Sequence, residues 1–147
     1  MLACKSFEGD KQNFISEEVF KHLKDLCMNR NGLCVIKRLV AKAQSIEQRR
    51  KLMANISGEV IKLVSDPYGN YAITEIISNW DNETCQTIYS QLEDKLAELS
   101  VQKYSSNVIE RCLEDADPKT RSNYISELRK SDQLHRLMKS SYGNYVV

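Results

Sequence analysis

Apolar residues follow a pattern that repeats four times along the chain. Each copy begins with a leucine, and these leucines are 37, 36 and 38 residues apart. Another apolar residue stands three positions before each leucine, a spacing that places both on one face of a helix. A period this regular is typical of stacked helical repeats. The pairs are Leu23 and Leu26, Val60 and Leu63, Leu96 and Leu99, and Leu134 and Leu137.

A second amphipathic segment follows each pair. Its apolar residues recur at i, i+1, i+4 and i+5 in the three complete copies, which predicts a second helix with one buried stripe. The stripe consists of Val35, Ile36, Leu39 and Val40, then Ala72, Ile73, Ile76 and Ile77, then Val108, Ile109, Cys112 and Leu113, and finally Val146 and Val147. We expect the break before this helix at Asn31–Gly32, Tyr68–Gly69, Tyr104–Ser105 and Tyr142–Gly143.

Each complete copy also predicts a third helix. In the third copy, Asp117 is a suitable N-cap and Pro118 fits the first helical position. At the other end, Ser16 is expected to cap a helix that continues to about Asn29. The third helices are expected near Ser45 to Ala54, Asn82 to Leu92 and Pro118 to Leu128.

These elements predict an all-α protein, an armadillo-like α-solenoid of three-helix repeats. About four units are expected, over residues 14–54, 55–92, 93–129 and 130–147, preceded by a tail over residues 1–13. The last unit stops inside its second helix, so we expect the chain to be part of a longer array.

Composition agrees with helices and is silent about partners. The 147 residues include only five glycines and two prolines, which favours helices over a many-stranded sandwich. Net charge is +1, so it indicates neither nucleic acid nor membrane. No apolar run approaches membrane-span length, and the segment from Met1 to Asp10 lacks the basic and apolar regions expected of a signal peptide. The five cysteines lack a C-x-x-C pair and mostly have apolar neighbours, which favours a reducing, intracellular location.

Polar residues of the second helices, opposite the apolar stripe, are the candidate functional residues. Two of them at i and i+4 are expected to project together, with a third residue beside them. In this frame the units carry Leu33, Cys34 and Lys37, then Asn70, Tyr71 and Thr74, then Ser106, Asn107 and Glu110, and finally Asn144 and Tyr145.

This arrangement suits a single-stranded nucleic acid laid across the stack. The i and i+4 pair can hydrogen-bond a base edge, and the flat residue can stack between bases. The carboxylate of Glu110 only accepts hydrogen bonds, so it favours the donor-bearing edge of guanine.

The segments YGNYAIT from Tyr68, YSSNVIE from Tyr104 and YGNYVV from Tyr142 resemble Pumilio (PUF) repeats. The resemblance covers about residues 15–147, and the S-N-x-x-E unit is similar to the next-to-last repeat of that family. It implies that the chain binds single-stranded RNA, antiparallel to the protein, in 3′ untranslated regions of messenger RNAs. The outcome would be repression or decay of those messages in the cytoplasm, with protein co-repressors as further partners.

The resemblance also implies a role for each unit on a UGU core. Asn144 and Tyr145 would hold the 5′ uracil, and Ser106 and Glu110 would read guanine with Asn107 stacking beside it. Asn70 would read the next uracil, with Tyr71 stacking.

This sequence departs from the family pattern in three places. Thr74 stands where the uracil-reading pattern has glutamine. Leu33, Cys34 and Lys37 cannot read adenine as the common triplets do, so we expect a tolerant or phosphate-contacting first unit. In the fourth unit, the i+4 member of the pair that would read the base, here called the reader of a unit, would be residue 148, which is absent from this sequence.

Other interpretations remain open. Tyr71 and Tyr145 could pack between repeats, and the stack could instead be a protein-interaction scaffold or a nucleolar relative with little sequence preference. Arg111 and Glu114 are each interpreted as solvated surface, and local positive potential near the inner face is expected from Lys37, Arg38, Lys103, Arg111 and Lys139. His22 and His135 are far from the cysteines in the pattern, and no phosphate-binding or nucleophile motif occurs. We therefore expect no enzyme activity, no metal or cofactor, no small-molecule substrate and no membrane partner.

Overall fold

The computed structural model describes residues 18–147, and these residues form an all-helical stack. Each complete unit contains a short first helix, a longer second helix and a third helix. After helical residues 18–21, the first unit contains α1 (Leu23–Cys27), α2 (Arg30–Lys42) and α3 (Ile46–Ile56). The second contains α4 (Val60–Val64), α5 (Gly69–Asn79) and α6 (Asn82–Leu92). The third contains α7 (Leu96–Ser100), α8 (Ser105–Asp115) and α9 (Pro118–Leu128). The fourth contains α10 (Ser131–Lys139) and a 3₁₀ turn (Gly143–Tyr145).

The third helices begin where the sequence predicts, because a side chain caps each of them. Ser45 accepts a hydrogen bond from the Gln48 backbone N–H and forms a capping box with the Gln48 side chain. Asp81 accepts from the Thr84 N–H, and Asp117 accepts from the N–H groups of Lys119 and Thr120. The prediction of Asp117 as N-cap with Pro118 at the first helical position is therefore confirmed.

The second helices form a continuous row through the stack. Helix α2 packs against α5, α5 packs against α8, and α8 packs against the 3₁₀ turn of the fourth unit. Their predicted stripes line a shared core, with Ile36, Ile73 and Ile109 each 0% exposed. This row gives equivalent positions of successive units a common side of the molecule.

Hydrogen bonds between units fix the register of the stack. The indole N–H of Trp80 donates to the Val40 carbonyl over 3.1 Å, and the hydroxyl of Tyr124 donates to the Tyr89 carbonyl over 2.8 Å. Both contacts are buried, where a lost partner is costly. The second and third units are thus each tied to the unit before by a directional contact as well as by apolar packing.

A short turn starts the second helix in three of the units described. Asn29 Oδ1, Asp66 Oδ1 and Ser140 Oγ each accept hydrogen bonds from the backbone N–H groups two and three residues later. These local bonds satisfy donors that a helix start leaves unpaired. The polar residues that follow therefore enter the row at a fixed point.

The first unit differs from the prediction at its break. Helix α1 ends at Cys27, and Asn29 caps α2 instead of ending the first helix. Gly32, where we expected the break, lies inside α2. Asn29 and Asp66 accept from the same two backbone positions of their units, but α2 begins at Arg30, before the glycine, whereas α5 begins at Gly69. Ser16, the predicted cap, and the predicted tail lie outside the described residues.

Two predictions about burial are partly wrong. Val35 of the first stripe is 39% exposed. Val147 is 65% exposed, because the fourth unit has only a 3₁₀ turn in place of its second helix. Of the cysteines, Cys27, Cys85 and Cys112 are buried as expected, but Cys34 is exposed. Cys4 lies outside the described residues.

No helix among residues 18–147 is long and apolar enough to cross a membrane.

Candidate functional site

A groove of about 290 Å³ lies between α5 and α8, at the centre of the row of second helices. We call it the α5–α8 groove. It brings together five of the predicted site residues from two successive units, namely Asn70, Tyr71, Thr74, Asn107 and Glu110.

Asn70 is buried rather than projecting from the helix. Its amide nitrogen donates to the backbone carbonyls of Asp66, over 2.8 Å, and Pro67, over 3.0 Å. Its Oδ1 is buried and has no partner within the described part of the chain, although Asn70 lines the groove. The Asn70 amide is therefore locked by the backbone, and its unpartnered oxygen is covered.

Tyr71 and Thr74 complete the α5 side of the groove. The Tyr71 ring is exposed (49%), so a flat apolar surface is available for stacking. Thr74 is half-buried, and its hydroxyl donates to the Tyr71 backbone carbonyl over 3.2 Å. Because that bond uses the only hydroxyl proton, Thr74 can offer a ligand only a lone pair.

The α8 side carries the acidic residues of the groove. Glu110 and Asn107 are exposed, whereas Ser106 is 5% exposed and is not among the groove residues. Arg111 and Glu114, which we interpreted as solvated surface, also line the groove. Glu110 and Asn107 thus meet the expectation of projecting side chains, and Ser106 does not.

The first unit presents different chemistry at the equivalent positions. Leu33 is half-buried, Cys34 is exposed, and Lys37 forms an ion pair of 3.1 Å with Glu75 of α5. Glu75 also accepts a hydrogen bond from the Asn79 side chain over 3.2 Å. The positive charge of Lys37 is therefore partly neutralised by a carboxylate of the next unit.

The fourth unit extends the row with two exposed residues. Tyr145 is 72% exposed, and Asn144 next to it is exposed as well. Their 3₁₀ turn packs against α8, so they lie beside the third unit as α8 lies beside α5. The predicted site residues consequently follow one row, although they differ in burial.

The buried cysteines are not candidate nucleophiles, and the described residues contain no candidate metal site. Burial raises the pKa of Cys27 and of Cys85 to about 12, and nearby aspartates add to the shift. Neither thiol is then available as a thiolate near neutral pH. Across residues 18–147, no group of three or more His, Cys, Asp or Glu side chains could hold a metal ion.

Stacked three-helix units with a row of polar and aromatic side chains define an α-solenoid of the helical-repeat class. A sequence profile of the Pumilio-family RNA binding repeat matches residues 22–57, 59–93 and 95–129. The chain therefore belongs to the Pumilio family.

Curated relatives carry the same family name. Pumilio homolog 12 of Arabidopsis thaliana is 36% identical over 134 residues, which is 91% of this chain and 22% of that protein. The Pumilio domain-containing protein C6G9.14 of Schizosaccharomyces pombe is 31% identical over 141 residues, which is 96% of this chain and 21% of that protein. The chain thus spans about a fifth of the length of these relatives.

Solved structures share the fold. The structure of the Puf4 RNA binding domain bound to the HO endonuclease RNA 3′ UTR recognition sequence superposes with a TM-score of 0.86 at 18% identity, covering 95% of this chain and 43% of that one. The Puf3 RNA binding domain bound to Cox17 RNA superposes with a TM-score of 0.81 at 26% identity, covering 88% of this chain and 37% of that one. The predicted solenoid of three-helix repeats is confirmed.

Proposed function

We propose that this chain binds single-stranded RNA in a sequence-specific manner, one base per repeat along the row of second helices. The observation that carries the proposal is the α5–α8 groove, where the exposed Glu110 carboxylate and the exposed Tyr71 ring line one cleft. Hydrogen-bonding groups next to a stacking surface are what a splayed-out base requires. Family membership supports the same conclusion.

The proposed register places a UGU core on the last three units. The fourth unit, with Asn144 and Tyr145, takes the first uracil, and the third unit takes guanine. The Glu110 carboxylate accepts from the N1–H and N2–H groups of guanine, which no other base presents as a donor pair. Ser106 is buried, so its part in this contact is to support the position of Glu110 and Asn107.

The proposal also covers the biological targets of the chain. We propose 3′ untranslated regions of messenger RNAs as the ligands and repression or decay as the outcome, in the cytoplasm and with the help of protein co-repressors. Within this proposal the chain acts by binding rather than by catalysis.

Fluorescence anisotropy with labelled RNA tests the proposal. The purified protein is titrated with a UGU-containing strand and with three strands that differ only at the guanine. We expect Glu110→Gln to weaken the guanine strand by about 10- to 100-fold, the loss of a hydrogen bond to a charged group, and to affect the other strands little. Glu98→Gln, which removes an exposed carboxylate from α7, is the matched control.

Three outcomes separate the alternatives. Preference for guanine that disappears in the Glu110 variant supports the proposal. Equal affinity for all strands, scrambled ones included, favours an RNA binder with little sequence preference. Absence of binding to any strand favours a protein-interaction scaffold.

A further inference from the structure

The second unit lacks a donor for the base that it is proposed to hold. Uracil presents one N–H, at N3, between two carbonyl oxygens, so a matched site needs an acceptor and a donor. The Asn70 amide is fixed by its two bonds to backbone carbonyls, because a reversed amide would place an oxygen against both of them. Oδ1 is then the only polar atom of the Asn70 side chain without a partner, and it is covered in this structure and can only accept.

Thr74 cannot supply the missing donor. Its hydroxyl proton is already donated to the Tyr71 carbonyl of its own helix. The side chain is also too short to replace that bond with one across the groove. The donor must come from another element.

Arg111 of α8 is a cationic side chain in the same groove. Its Nη1 contacts Glu114 at 3.1 Å and Asp115 at 3.5 Å, both on its own helix. These contacts use one nitrogen, so Nη2 and Nε remain able to donate. The two carboxylates hold the guanidinium against α8 and partly neutralise it, which suits contact with a base edge better than long-range attraction of phosphate.

The neighbouring step of the row shows the same kind of pairing. Between α2 and α5, Lys37 of one unit meets Glu75 of the next at 3.1 Å. Glu75 and Arg111 occupy equivalent positions of their units, one residue after the reader. Glu75 thus pairs with Lys37 at the first step, and Arg111 is the side chain that occupies the equivalent position at the second step.

We propose that Arg111 is a specificity-determining residue for the base of the second unit, although it belongs to the third. It donates to a carbonyl oxygen of uracil, and the exposed Tyr71 ring stacks on the base. This inference rests on the proposed RNA binding. It means that base choice at this position depends on two successive repeats.

The test compares Arg111→Ala with the unaltered protein on two RNA strands. One strand carries uracil at the position of the second unit, and the other carries an abasic nucleotide there with the same phosphates. We expect the substitution to weaken the uracil strand about 10-fold, the size of a charge-assisted hydrogen bond, and the abasic strand less than about 2-fold. Arg50→Ala is the control, since Arg50 also forms an exposed ion pair, with Glu83, but lies on α3. Circular dichroism checks that each variant is folded.

Each result has a definite meaning. Selective loss on the uracil strand supports a base contact. Equal loss on both strands assigns Arg111 to the RNA backbone and overturns the inference, and no loss on either strand overturns it as well. Failure of the unaltered protein to bind the uracil strand would instead refute the proposed function itself.

Discussion

Gly69, the first residue of α5, allows the closest approach between the first and second helices of its unit. A β-carbon at this position would lie 2.6 Å from the Leu63 carbonyl oxygen and 3.0 Å from the Leu63 Cα. Both neighbours are backbone atoms, so they cannot move away by changing a rotamer. We expect Gly69→Ala to force the two helices apart and to destabilise the protein.

Gly58 offers a matched control for the size of this effect. No atom lies within 4 Å of a β-carbon built there. Gly58→Ala should therefore stabilise the protein by about 0.4–1 kcal/mol, through the lower entropy of the unfolded chain. Gly69→Ala has the same entropic benefit, but overpacking costs about 1–3 kcal/mol, so we expect a net loss of about 1–2 kcal/mol.

Urea denaturation measures this difference, with Trp80 fluorescence as the probe. Trp80 is 7% exposed and hydrogen-bonded to Val40, so its emission reports on the contact between the first two units. With a slope of about 2 kcal/mol per molar urea, the two variants should differ in midpoint by about 1 M. Equal midpoints would show that the unit adjusts to a β-carbon and would refute the reasoning.

Two further predictions concern reactivity and pH. An alkylating reagent should modify exposed Cys34 in the native protein, while Cys27 and Cys85, with pKa values raised to about 12, react only after unfolding; peptide mass spectrometry reads each site. Bound RNA should slow the modification of Cys34. Hydrogen bonds from Thr84 lower the pKa of Asp81, and those from Thr120 lower that of Asp117. The stabilising contribution of the two carboxylates is complete above the ordinary pKa of 3.8 and is lost as the pH falls through the lowered values. The temperature of thermal unfolding should therefore decrease below about pH 4. The decrease should be smaller in a variant with both residues changed to Asn.

Sequence reasoning predicts the fold well where the signal is local. The capping residues of α3, α6 and α9 and the proline at the start of α9 are local signals, and all three helices begin where they indicate. The repeat period predicts the stack because no single unit can bury its own apolar face. The start of α2 differs from the prediction. Asn29 and Gly32 are both residue types that start or interrupt helices, and only the observed backbone shows that Asn29 is the N-cap.

The site was harder to predict because burial depends on neighbouring helices. Helical periodicity places Asn70 and Glu110 on the polar side of their helices, but it does not show that Asn70 is covered and Glu110 is not. The place of Arg111 in the groove has a related explanation. Its position is one residue from the reader of its own unit, and it lines a groove with Thr74 only once α5 and α8 are packed. When the repeats are aligned, Arg111 stands at the position of Glu75, which pairs with Lys37. That alignment is the sequence signal that points to Arg111.

Burial of a predicted site residue has a consequence for how the row is proposed to discriminate between bases. An exposed asparagine could turn its amide and meet either a donor or an acceptor, whereas the Asn70 amide is held by two backbone carbonyls and its oxygen is covered. The turn at Asp66 that starts α5 therefore also fixes the chemistry that α5 presents. Glu110, in contrast, is exposed, and its proposed selectivity comes from its charge, since a carboxylate accepts in every orientation. Under the proposed RNA binding, the third unit thus chooses its base through an acceptor-only group, whereas the second unit holds a locked and covered amide.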